Sequence, residues 1–280
     1  MKLLRYGLPG QERPGILDAQ GNVRDLSHVI ADINGAVLSD ESLKKIAALD
    51  LNTLPLVTDP VRFGPCVNNV GKFICIGLNY ADHAAESGLA VPDEPVVFMK
   101  ATSAITGPND NVLKPRNSTK LDWEVELGII IGKHCSYVEL DDAINHIAGY
   151  CVINDVSERN FQLERGGQWD KGKGCDSFGP IGPYVVTRDE VPDPLNLNLW
   201  LTVNGKTFQN GSTKHMVFNP AFLVHYLSQF MSLQPGDVIS TGTPPGVGLG
   251  QKPPLYLNVG DVMELGIEGM GTQKQIVVQA

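Results

Sequence analysis

Residues 122–132 read DWEVELGIIIG, with apolar positions that first alternate with polar ones and then close into an unbroken run. Val125, Leu127 and Ile129 recur with a period of two, as on a strand with one buried face. Glu124 and Glu126 then share the other face, about 6–7 Å apart on an extended backbone. At an effective dielectric near 20 their repulsion costs about 2–3 kcal/mol. Three arrangements accommodate the pair: a wet edge strand, one glutamate protonated as a general acid, or a hard cation between them. The run from Leu127 to Ile131, apolar on both faces beyond Gly128, argues against the wet edge.

Elsewhere the pattern predicts short strands and few helices. Residues 1–70 read as a small separate unit. In it KLLRYG and PGILDAQGNVRDL form strands joined by a Gly-centred turn, and SDESLKKIAALD is a helix opening on Ser39 or Asp40. LPLVTDPVRFGPCVNNVGK carries turns without a helical period and connects to a second unit, residues 71–280. There FICIGLNY is a buried strand, and Asn79 is placed to cap a short helix, YADHAAES, that ends at Gly88. AGYCVINDVS is another strand, and NLWLTVNGKTFQNGS is a hairpin turning at Asn204–Gly205. NPAFLVHYLSQFM is a helix with Asn219 as cap and Pro220 in its first turn. Two GDV turns each launch a strand. Because the alternation is not a regular βαβ series, the expected class is α+β, mostly β, with antiparallel or mixed sheets.

Composition narrows the function classes. The 280 residues are 42% hydrophobic and 19% charged, and 30 glycines with 19 prolines mark a turn-rich globular chain. A formal charge of −9 disfavours nucleic acid and anionic membranes as partners. The amino terminus, MKLLRYGLPGQERPG, has no apolar signal-type core, and no stretch approaches 18 apolar residues, so a cytoplasmic location is expected. Cys66, Cys75, Cys135, Cys151 and Cys175 are an odd set with no CxxC spacing and are expected as free thiols. Cys175 follows a glycine in a polar loop, but no histidine motif accompanies it as a nucleophile's base.

Asp155 ends the strand GYCVIND, where its carboxylate emerges at a strand mouth as those of Glu124 and Glu126 do; capping the following helix is its structural alternative. Three oxygen ligands with room for water suit Mg²⁺ or Mn²⁺ better than Zn²⁺. His83 and Glu86, three apart on the short helix, share a face and read either as a base dyad or as a surface pair. Lys171 and Lys173 lie in the glycine-rich loop QWDKGKGCDSFGPIGP, where a cation is able to approach an anionic ligand. His134, His146, His215 and His225 have no partner pattern and read as structural. STGTPPGVGLGQ lacks the GK[ST] ending of a phosphate-binding loop.

Together, FICIGLNYADHAAE, DWEVELGIIIG, GYCVINDVSERNFQ, DKGKGCDSFGPIGP and PGDVISTGTPPGVG, in this order, resemble the fumarylacetoacetate hydrolase family over nearly all of residues 71–280. The resemblance implies a mixed β-roll fold, a small N-terminal domain (1–70), a catalytic domain (71–280) and a homodimer. It implies metal ligands at Glu124, Glu126 and Asp155, a lid dyad at His83 and Glu86, and an active-site lysine at Lys173. Substrate contacts are implied at Gln162 and Thr243. The larger eukaryotic members add an aspartate ligand before the lid histidine; FICIGLNY has none, so the chain looks like the smaller bacterial branch. The implied activity is Mg²⁺- or Mn²⁺-dependent hydrolysis of a C–C bond in a small 2-keto acid, such as a 2,4-diketo-3-deoxy sugar acid, giving pyruvate and a carboxylic acid. Ureidoglycolate lyase, oxaloacetate decarboxylase and 2-hydroxyhepta-2,4-diene-1,7-dioate isomerase activities are the enzymatic alternatives. A non-catalytic cation-binding module would need the triad but not His83, Glu86 or Lys173.

Overall fold

The computed structural model describes residues 1–86 and 90–280, with the side chains of 83–85 excepted. The expected helix end at Gly88 and the side chain of His83 thus lie outside the described residues. The chain opens with β1 (Lys2–Tyr6), β2 (Arg13–Leu17), β3 (Val23–Asp25) and α1 (Asp40–Ala47). β4 (Phe73–Gly77), α2 (Ala81–Glu86), β5 (Val96–Lys100), β6 (Ile105–Thr106), β7 (Val112–Lys114), β8 (Leu121–Asp122) and β9 (Val125–Ile131) follow. Next come α3 (Leu140–Ala143), β10 (Ile147–Asn154), β11 (Ser157–Glu158), α4 (Arg159–Leu163), α5 (Asp170–Lys173) and β12 (Gly179–Thr187). The last elements are β13 (Asn198–Val203), β14 (Lys206–Ser212), α6 (Pro220–Ser228), β15 (Val238–Ser240), β16 (Val262–Ile267) and β17 (Gly271–Gln279).

The architecture is mostly β with mixed sheets, as the pattern predicts. The larger sheet runs β3-β2-β1-β12-β10-β9-β15-β4-β5, with β6 parallel to β12. A second sheet runs β14-β13-β16-β17-β7. β9 is no edge: it pairs antiparallel with β10 on one side and β15 on the other. Its period of two places Val125, Leu127, Ile129 and Ile131 in one apolar core and Ile130 in the other. The first three strands extend this sheet through the β1–β12 pairing, and Leu3, Ile16 and Leu26 share a core with Phe73, Ile130 and Ile153.

Local signals explain several elements. Ser39 caps α1 by accepting from Ser42 N, and Asn219 caps α6 by accepting from Phe222 N, with Pro220 in the first turn. Asn204 and Gly205 both have positive φ (51° and 77°), the backbone that a tight hairpin turn between β13 and β14 requires. Asn79 departs from expectation. Rather than capping α2, its amide donates to Phe218 O (2.9 Å) and Thr241 O (2.7 Å) while its oxygen accepts from Phe218 N (2.7 Å). Just beyond β4, both N–H donors of this buried side chain and one acceptor position of its oxygen thus go to neighbouring backbones.

Candidate active site

The β9–β10 ladder builds the acidic cluster. Ile153 pairs with Glu126 and Asn154 with Val125, so the ladder runs out where Asp155 N donates to Glu124 O at 2.8 Å. Glu124, Glu126 and Asp155 are buried, and each brings a carboxylate oxygen within 4.8 Å of the others. Asp155 does not cap α4; Glu158 does, accepting from Asn160 N.

Three buried cations meet these carboxylates. Lys173 Nζ donates to Glu124 Oε2 and Asp155 Oδ2, both at 2.7 Å. Arg159 donates to Glu124 Oε1 (2.6 Å), Asp122 Oδ2 (2.8 Å) and Gln162 Oε1 (3.0 Å). Lys100 donates to Asp155 Oδ1 and to Val156 O. Glu126 accepts instead from neutral donors, Ser240 Oγ (2.6 Å) and Gly242 N (2.8 Å). Burial, then the charges of Asp155 and Glu124, push the Glu126 carboxyl well above its ordinary range. Burial alone would lower the Lys173 ammonium, but Asp155 and Glu124 outweigh it and hold its pKa above that of a free lysine. The donor set, three oxygens on separate carboxylates without nitrogen or sulfur, fits a hard divalent cation, whose charge would offset this crowding.

Lys173 is not in a loop. It ends the single turn α5, where Lys171 faces solvent and donates to Arg165 O (2.7 Å) while Lys173 faces inward. The glycine beside it serves space rather than backbone freedom. A methyl at Gly172 would stand 2.4 Å from Glu158 O and 2.5 Å from Gln162 N, so only glycine lets α5 settle flush on α4. Cys175 is half-buried, and burial pushes its thiol up, the wrong direction for a nucleophile.

A cavity of about 250 Å³ opens over the cluster and is lined by Gln162 and Thr243 as well as by the triad, Arg159 and Lys173. The Thr243 hydroxyl donates to Val125 O (2.9 Å) and accepts from Gln209 Nε2 (2.7 Å). The rest of its wall is largely hydrocarbon, from Leu78, Phe98, Leu163, Trp169 and Leu249. Leu78 has φ +56°, a left-handed backbone that a bulky side chain adopts at a cost of about 1–3 kcal/mol. The Trp169 indole lies on Gly77, where a methyl would stand 2.6 Å from its ring, and meets Phe98 edge-on at 5.3 Å between centroids.

The glycine-rich loop after β15 ties α2 to the site. Glu86, which ends α2, accepts from Gly246 N with both carboxylate oxygens (3.0 and 3.1 Å). Asp122 accepts from Gly248 N (2.6 Å) and Leu249 N (3.0 Å) on the same loop. Asp122, Arg159 and Lys100 were not singled out from the sequence. Asp122 did carry a signal, since it extends the two-residue spacing of Glu124 and Glu126 backwards by one step.

Residues 72–278 match the model of the fumarylacetoacetate (FAA) hydrolase C-terminal family. A Burkholderia multivorans protein named as a hydrolase is 64% identical over 277 residues, covering 99% of this chain and 98% of its own. Fumarylacetoacetate hydrolase from Exiguobacterium antarcticum superposes with a TM-score of 0.87 at 38% identity, over 100% of both chains. Maleylpyruvate hydrolase from Sphingobium sp. SYK-6, solved with manganese(II) and pyruvate, gives 0.83 at 28% identity, again over 100% of both. The sheet order, the acidic cluster and the match across most of the chain have one reading: this protein belongs to the fumarylacetoacetate hydrolase family.

Proposed function

We propose that the protein is a Mg²⁺- or Mn²⁺-dependent hydrolase that splits the C3–C4 bond of a 2,4-diketo acid, yielding pyruvate and a carboxylic acid. The observation that carries this reading is the convergence of three buried carboxylates on the floor of a cavity, with a lysine ammonium bridging two of them. The manganese and pyruvate in the Sphingobium relative lend further support. Glu124, Glu126 and Asp155 would hold the cation, which when bound polarises the 2-oxo group and so favours release of the C3–C4 electron pair toward it.

The chain's own groups do the rest. Arg159 and Lys100 fix the Glu124 and Asp155 carboxylates, so the ligand oxygens need no reorganisation during reaction. Lys173 places positive charge beside the developing negative charge on substrate oxygen, while Gln162 and Thr243 position the acid. His83, oriented by Glu86, takes a proton from water as its oxygen adds to C4. The C3–C4 bond then breaks, its electron pair stays with C3, and protonation there completes pyruvate while the C4 acyl group leaves as the acid. In this reading residues 71–280 carry the chemistry, residues 1–70 are an accessory unit, and the molecule is a cytoplasmic homodimer. The stacked rings of Phe222 and Tyr226 on α6, running out to a 65% exposed Phe230, support contact with a second copy.

The test is a panel of acylpyruvates, 2,4-diketo-3-deoxy acids, oxaloacetate and ureidoglycolate, assayed with Mg²⁺ or Mn²⁺ and after exhaustive chelation. Metal-dependent release of pyruvate from the diketo acids is expected. Faster decarboxylation of oxaloacetate or cleavage of ureidoglycolate, or full activity after chelation, would replace the reading.

A further inference from the structure

Resting on the hydrolase reading, we propose that the acyl half of the substrate is a small apolar group rather than a second carboxylate or a polyol, and that Leu78 sets this preference. The cavity divides by chemistry. Its cations, Arg159 and Lys173, are already engaged by Glu124, Asp122 and Asp155. Among the described residues no further lysine, arginine or histidine lines it. Beyond the charged floor a ligand meets Leu78, Phe98, Leu163, Trp169 and Leu249. Among the described residues a carboxylate placed there loses water without gaining a counter-ion, and a polyol exchanges hydrogen bonds to water for contact with hydrocarbon. An alkyl or aryl group gains by the same burial. The volume, about 250 Å³, falls below the roughly 300–1,000 Å³ usual for ligand pockets, which favours a short tail.

Leu78 is the residue that the local backbone does not explain. The turn after β4 is held by the three hydrogen bonds of the Asn79 side chain and by Val217 N donating to Asn79 O (2.9 Å). A glycine would take φ +56° without strain. The chain instead puts an isobutyl group there, at the cavity wall, and strain kept at a binding surface points to selection for what the side chain touches.

Binding of two acids that lack a 4-oxo group, and so are not cleaved, tests this apart from turnover: 2-oxohexanoate, with an alkyl tail, and 2-oxoadipate, with a second carboxylate. Calorimetry on the Mn²⁺-loaded protein should show 2-oxohexanoate binding about tenfold more tightly or better. Leu78→Gly, which relieves the backbone, should keep its Tm and lose most of that difference. Equal or reversed affinities in the unmodified protein would overturn the inference, as would an undiminished preference in a folded Leu78→Gly. Failure of both acids to bind would remove it together with the 2-keto acid reading. A retained tail preference with no hydrolysis of any diketo acid would support the inference and sink only the hydrolase chemistry.

Discussion

Lys171 and Lys173 stand two positions apart in one turn of helix, yet one reaches solvent and the other bridges two buried carboxylates. On the proposed function, Lys173→Met would remove a donor used as charge develops, and kcat should fall by about 10²–10³. Because the ammonium shares Glu124 and Asp155 with the expected cation, Mn²⁺ affinity should hold or rise in the same variant. Lys171→Met should be mild in both. Steady-state kinetics and Mn²⁺ calorimetry read the contrast, and equal small effects would leave Lys173 without a special role. Glu124, Glu126 and Asp155 were legible in the sequence because two-residue spacing and a strand's end are local facts. Lys100 and Arg159 were not, because a buried cation has no periodic signature; only the folded partners reveal why it is tolerated there.

At the scale of elements, α2 meets the loop after β15 through Gly246, which donates its N–H to Glu86, and Gly250, which leaves room for it. A methyl at Gly250 would stand 2.3 Å from the Glu86 carboxyl carbon. Gly250→Ala should therefore shift the end of α2 and, on the proposed function, lower kcat by up to about 10²-fold, while Mn²⁺ affinity stays unchanged because no triad residue moves. A wild-type kcat would show that this seating does not matter to turnover. The β2–β3 hairpin gives a pH-dependent case. Burial would raise the Asp18 carboxyl, but donors from Asn22, then Arg24, hold it down at about 2. Its stabilisation is thus complete above the ordinary carboxylate pKa and lost as pH falls through about 2. Asp18→Asn should lower the urea midpoint at pH 7 and leave it unchanged near pH 2. Helix caps such as Ser39 and Asn219 were readable because a cap is a short-range device. The role of Asn79 was not, since its partners lie some 140 and 160 positions away.

For the whole molecule, the sheet order depends on closures the pattern cannot announce. β15, near the end of the chain, enters between β9 and β4, and β1 joins β12. Each pairing closes a loop of more than a hundred residues, and no short-range signal selects it over its competitors. The class was readable from turn frequency and the lack of a βαβ rhythm; the neighbours were not. Since the acidic cluster is built on β9 and β10, a cation bound there should resist unfolding of the sheet itself. Mn²⁺ at one hundred times its Kd should add about 2.7 kcal/mol of stability, raising Tm in calorimetry, and a chelator should reverse the shift. An unchanged Tm would contradict binding at this cluster.

The linked chain of Asp122, Arg159, Glu124, Lys173, Asp155 and Lys100, with Glu126 beside it, carries four carboxylates against three cations. Were all of them ionised, one negative charge would stand in surplus; burial and its acidic neighbours push the Glu126 carboxyl up and so favour a proton there, which relieves it. On the proposed function a divalent cation would meet the same surplus, so its arrival and the departure of that proton would be a single exchange.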